Sequence, residues 1–215
     1  MTKIEILNQI NFITSSLIGL NLSEEQNFPS EKDGSIYISG NHDISISLKN
    51  IPYSEIYSIL REDKNYNFKL IDGALIQIQY SYNVEGNLKK YRLAFFPSPS
   101  LEEFQNNSEI YEMDEIYADI IQKNIITTPI RFDFDSENNS IIHHPYSHLT
   151  IGQYKNCRIP VCKPITPFIF MDFILRNFYN TAKNKFSEEL NFDKTNSFDY
   201  CIHDLEKKIL HLSIA

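Results

Sequence analysis

The chain has 215 residues, enough for one sizeable core and a tight fit for two. Hydrophobic residues make up 42% and aromatics 13%, which excludes a disordered chain. A formal net charge of −8 speaks against a free-standing nucleic-acid binder, and no apolar run approaches the roughly 20 residues that span a bilayer.

The N-terminus, MTKIEILNQINF, is broken by polar residues and has no small-residue cleavage site, so it does not read as a signal peptide. The three cysteines (Cys157, Cys162, Cys201) are an odd count without CxxC spacing. A disulfide framework or structural zinc is therefore not expected, and the expected location is a reducing, cytoplasmic one without membrane contact. Charge is unevenly placed: residues 101–122 carry seven acids and no base, whereas residues 151–185 carry six bases against the single acid Asp172. That asymmetry fits either a local anion site or two segments that pair with each other.

Leu7, Ile10, Ile13, Leu17 and Leu20 recur at helical spacing and predict an amphipathic helix over about 3–20. Residues 22–34 are polar, contain Pro29 and read as a connection. Alternation predicts short strands over 35–40 and 43–48, and a short helix is expected after Pro52. The clearest hairpin joins 74–82 to 88–96 through Glu85-Gly86-Asn87, with Pro97 and Pro99 ending it. The acidic segment 101–122 is a helix candidate. Strand patterning returns over 125–134 and 141–151, with a short edge over 158–161. Thr166-Pro167 opens the strongest helix, the threonine as cap and the proline in the first turn. A final hairpin is expected from Phe198/Tyr200/Ile202 and Leu210/Leu212/Ile214. The order of elements predicts a single α+β domain, 1–215, with an antiparallel or mixed sheet flanked by helices.

Reactive side chains are densest between Arg131 and Arg158, in RFDFDSENNSIIHHPYSH and its continuation to Arg158. Strand parity puts Arg131, Asp133 and Asp135 on one face and Phe132 and Phe134 on the other. His144 and His148 also share parity, with Pro145 between them marking an edge or bulge. Two chemistries become available if these strands pair. In one, His144 and His148 exchange protons, Asp133 orients a histidine, and Arg131 and Arg158 hold an anionic transition state, which suits cofactor-free phosphodiester cleavage by an internal 2′-hydroxyl. In the other, His144, His148, Asp133 and Asp135 supply ligands to a divalent metal such as zinc or manganese. A structural hydrogen-bonded cluster is the plain alternative to both. Elsewhere, His42-Asp43 and His203-Asp204 read as turn residues, Cys157 as a packed thiol beside Arg158, and Lys89, Lys90 and Arg92 among Tyr80, Tyr82 and Tyr91 as a weak single-strand grip.

The motifs DGALIQIQYSY, YRLAFFPSP, PIRFDFD, HHPYSHLTIGQYKNCRIP and TPFIFMDFILRNFY together resemble a family of uncharacterised bacterial proteins, domain of unknown function family 2290, over about residues 72–179. The resemblance implies an accessory protein of bacterial defence or mobile loci, with a partner protein encoded nearby. The RxD…HxxxH arrangement also looks distantly like that of small toxins of ribonuclease type, which implies an RNA substrate. The competing expectation is a non-enzymatic adaptor or immunity (antitoxin-type) protein whose acidic helix docks on a basic partner.

Overall fold

The computed structural model describes residues 1–32, 34–38, 50–99 and 127–214. Helix α1 (Lys3–Gly19) begins with a capping box in which the Glu5 N–H donates to Thr2 Oγ1 and the Thr2 N–H donates to the Glu5 carboxylate. Its buried stripe is Ile6, Ile10, Ile13, Thr14 and Leu17; Leu7 and Leu20, predicted to lie on that stripe, are half-buried at its margin. Strands β1 (Ser23–Gln26), β2 (Pro29–Lys32) and β3 (Ser35–Ile38) follow, then α2 (Tyr53–Glu62). Next come β4 (Phe68–Leu70), β5 (Leu75–Tyr82), β6 (Leu88–Phe96), β7 (Ile130–Asp135), β8 (Ser147–Ile151) and β9 (Ile159–Pro160). The chain closes with α3 (Pro167–Phe178), α4 (Asn180–Lys185) and a 3₁₀ turn over Glu206–Lys208. The expected strand over 43–48 and the acidic segment lie outside the described residues.

Among the described residues the strands form one sheet in the order β1-β4-β5-β6-β7-β8-β9, with the β2–β3 hairpin joining through β3 to the far half of β5. Every strand pair is antiparallel. The fold is α+β, as the order of elements predicts. The β5–β6 turn is held by Asn83, whose Oδ1 accepts from the N–H groups of Glu85 and Asn87, while Gly86 takes a φ of 83°.

One face of the sheet carries Ile76, Ile78, Tyr80, Tyr91, Leu93, Phe95, Phe132, Phe134 and Leu149, buried beneath α1 and α3. Helix α3 is capped as predicted: the Ile169 N–H donates to Thr166 Oγ1, and Pro167 sits where its missing N–H costs nothing. The opposite face has two zones. At one end Leu75, Ala94 and Phe96 pack under Ile56, Tyr57 and Leu60 of α2. The rest of that face is polar.

Three predictions are corrected. Residues 22–34 are not a connection but hold β1 and β2, with Pro29 as the first residue of its strand, where a lost N–H is tolerated. Strand β8 starts only at Ser147, because residues 140–144 close a turn in which Ser140 and His144 exchange backbone hydrogen bonds. The final hairpin does not form. Instead, Cys201 donates to Cys162 O, Cys162 donates to Leu212 O, and Leu212 donates to Pro160 O, so both arms tie to the segment after β9.

Candidate functional site

Register sets the site. Gln79 of β5 lies opposite Arg92 of β6, Arg92 opposite Asp133 of β7, and Asp133 opposite His148 of β8. In an antiparallel sheet such partners share a face, so Gln79, Arg92, Asp133 and His148 form one transverse row at about 4.8 Å per strand. The neighbouring row holds Gln77, Ala94, Arg131 and Thr150. Arg158, just before β9, donates to the Lys155 carbonyl at 3.0 Å and lies near enough to His148 for its charge to oppose protonation of that ring.

Asp133 is the hub. Arg92 Nε donates to its Oδ1 at 2.9 Å and Arg131 Nε to its Oδ2 at 2.5 Å, and all three side chains are nearly buried. Burial alone would push the carboxyl up, but the Arg92 and Arg131 guanidinium groups, helped by His148, more than offset it and hold the group below the usual carboxylate range. Asp133 therefore does not orient a histidine, the role expected from the sequence: both its oxygens serve arginines.

His148 is 2% exposed and its Nδ1 lies 3.0 Å from the Pro145 carbonyl. A carbonyl only accepts, so Nδ1 carries the proton. Burial lowers the ring's pKa to about 4, against the pull of Asp133 in the other direction, which leaves Nε2 with a lone pair at neutral pH. His144 is tied in the same way, Nδ1 to the Asn138 carbonyl, and its ring centroid lies 5.0 Å from that of His148. The structure thus brings Arg131, Asp133, His144 and His148 together, with Arg158 near His148.

Asp135 is committed elsewhere. Its carboxylate meets Lys90 at 2.9 Å and caps the following turn through the N–H groups of Glu137 and Asn138. Burial opposes its ionisation, yet these donors hold it far below the usual range. Among the described residues no three His, Cys, Asp or Glu side chains gather in a way that could hold a metal. Within the alternative ligand set, His144 and His148 lie side by side, whereas Asp133 is engaged by Arg92 and Arg131 and Asp135 by Lys90 and its own turn.

Parity also dismantles the weak single-strand grip. Tyr80 and Tyr91 point into the core, where Tyr80 Oη donates to the Ile165 carbonyl, while Lys90 and Arg92 face the other way. The lone acid of the basic segment, Asp172 on α3, collects Lys183, Lys194 and Arg176 at 3.3, 3.3 and 3.7 Å, on the opposite side of the sheet. His203 and Asp204 are exposed at the 3₁₀ turn, as expected, and His42-Asp43 lies outside the described residues. Arg92 and Gln79 join the site although no local sequence signal marks them as members. Gln79 Oε1 is buried and unpartnered among the described residues.

The class these features define is a mostly antiparallel α+β protein with a polar sheet face built on histidine, arginine and ionised aspartates. The chain belongs to the DUF2290 family, described as an uncharacterized conserved protein, whose model matches residues 22–214 and so reaches well beyond the motifs that carry the resemblance. No curated protein and no solved structure matches it. Among the described residues no helix is long and apolar enough to cross a membrane.

Proposed function

We propose that this polar face is an acid–base site of nuclease type that cleaves RNA, in a protein of bacterial defence or toxin type. The observation that carries the reading is His148: a neutral imidazole with its Nδ1 proton tied down, in register with an aspartate gripped by two arginines. Arg92 and Arg131, held on Asp133, and Arg158 near His148 bring guanidinium groups to this site, the chemistry that contacts a phosphodiester anion. His148 Nε2 takes the proton of a ribose 2′-hydroxyl, whose oxygen bonds to phosphorus as the bond to the 5′-oxygen breaks. His144 returns a proton to that leaving oxygen. The products are a 2′,3′-cyclic phosphate and a 5′-hydroxyl, and no metal takes part.

The decisive variant is His148→Asn, whose side-chain N–H can replace Nδ1–H toward the Pro145 carbonyl while removing the base. Single-stranded RNA incubated with purified protein in a chelator should yield cyclic-phosphate ends, and the variant should lose them with an unchanged circular dichroism spectrum. An inactive wild-type protein, or an equally active variant, would sink the proposal.

A second reading has its own support. His148 is 2% exposed and the ion cluster is satisfied internally, as in a purely structural network. Under that reading the protein is a non-enzymatic adaptor or immunity protein that docks a basic partner through residues 101–122. Reversal of Glu112 and Glu115 to lysine would then abolish capture of the partner, while His148→Asn would leave it intact.

A further inference from the structure

The C-terminal 3₁₀ turn holds a glutamate that the proposed cleavage chemistry does not use. Glu206 is 2% exposed, and both its carboxylate oxygens are engaged by backbone donors. The N–H of His203 reaches Oε2 at 2.9 Å within the turn itself. The N–H of Ile142, 64 residues away in sequence, reaches Oε1 at 3.0 Å. Ile142 has a φ of 67°, a left-handed conformation that a β-branched residue rarely adopts and that must be held by its surroundings. The neighbouring residues close the turn: His143 N donates to Ile141 O, and Ser140 and His144 exchange backbone hydrogen bonds at 2.8 and 2.7 Å. That closure sets where the His144 ring stands, 5.0 Å from His148. The arms on either side of Glu206 are tied to the strand segment that also flanks His148, through Cys201 to Cys162 and Leu212 to Pro160. The carboxylate is thus a fixed post on the frame that carries His148, reaching across to the loop that carries His144.

We propose that Glu206 is a positioning residue for His144, holding the left-handed turn at Ile142 so that the two imidazoles stay paired. The proposal rests on the acid–base reading of the site for its consequence in turnover, but not for its geometry. An amide cannot replace the carboxylate: Glu206→Gln would set an N–H₂ donor against one of the two backbone N–H groups. Three measurements on the full chain test it. In the wild type, the Ile142 amide should be protected from hydrogen exchange although its residue is partly exposed; exchange as fast as that of an open loop overturns the proposal, and this arm needs no variant to fold. The cross-ring nuclear Overhauser contact between His144 and His148 should be present in the wild type and lost in Glu206→Gln and Glu206→Ala, while Asp133–His148 cross-strand contacts persist. Retention of the cross-ring contact in both variants overturns it. In RNA cleavage, Glu206→Gln should lower kcat about tenfold or more with KM within about twofold, the mark of a misplaced proton donor. A wild-type protein without cleavage defeats the site's assignment, whereas the exchange and Overhauser results still decide the role of Glu206.

Discussion

Strands β5 to β8 present two faces made from the same residues in alternation, and the faces are held together by different forces. On one, Tyr80 lies 5.4 Å from Tyr91, Tyr91 lies 5.9 Å from Phe134, and Phe132 meets Phe170 and Phe173 edge-on at 6.2 and 5.6 Å. Its energy is apolar area removed from water plus ring geometry, with no ion pair for salt to screen. On the other, Arg92, Asp133, Arg131 and His148 stand almost as dry, yet each depends on its neighbour's charge or hydrogen bond. The aromatic face fixes the register; the register then aligns the polar row. A single strand such as β7, reading IRFDFD, builds both.

Substitutions should separate the two faces. Phe132→Ala removes a ring that is 4% exposed and leaves a cavity under α3, so it should cost about 3–5 kcal/mol in urea unfolding, equally at pH 5 and pH 8. Asp133→Ala leaves two guanidinium groups without their shared carboxylate. Its cost should be about 3 kcal/mol, the low end for breaking a buried pair because the side chains keep some water contact, and it should depend on salt where Phe132→Ala does not.

The contrast also explains what can be read from the sequence. The long strands β5, β6 and β7 are legible because one face is apolar and alternation is a direct consequence. Strand β1, reading SEEQ, has no such face and exists because Ser23, Glu25 and Gln26 pair with β4, which no local pattern announces. The final segment shows the reverse error: period-two alternation predicts a hairpin where the two arms instead tie separately to residues 160–162, Leu212 by an isolated bridge to Val161 and Cys201 by its backbone N–H to Cys162 O. At the site, parity within β7 places Arg131 and Asp133 together and ties them to His148. Arg92 escapes because it lies 41 residues from Asp133, and only the β6–β7 register brings them face to face. For the same reason the sequence pairs Asp133 with a histidine when its partners are arginines.

A pH titration sharpens the comparison. The folded state holds His148 neutral, with a pKa of about 4 against an ordinary 6.5, so between those values the unfolded chain binds a proton that the folded one does not. Stability from this group is complete above pH 6.5 and falls by about 3 kcal/mol as the pH reaches 4. Asp133 and Asp135 are depressed carboxylates, so their contribution survives that window and is lost only below about pH 4. His148→Asn should flatten the slope between pH 6.5 and 4 and leave the acid limb in place. If the site cleaves RNA, kcat/KM should likewise persist down to about pH 5, since the base stays unprotonated there.

The smallest effect concerns the loop that joins the two faces at their edge. Ile142 pays for its left-handed φ of 67° with a steric cost that glycine escapes, roughly 1–2 kcal/mol by the handedness argument. Glycine returns part of that gain by loosening the unfolded chain, about 0.5–1 kcal/mol, and the half-exposed side chain gives up little apolar contact. Ile142→Gly should therefore raise stability by about 0.5 kcal/mol, read as a higher urea midpoint with an unchanged slope. Ile141→Gly is the matched control. Its neighbouring, similarly exposed position has no positive φ to relieve, so it should lower the midpoint. A midpoint that falls in both variants would show that the Glu206 contact and the turn closure do not strain Ile142 at all.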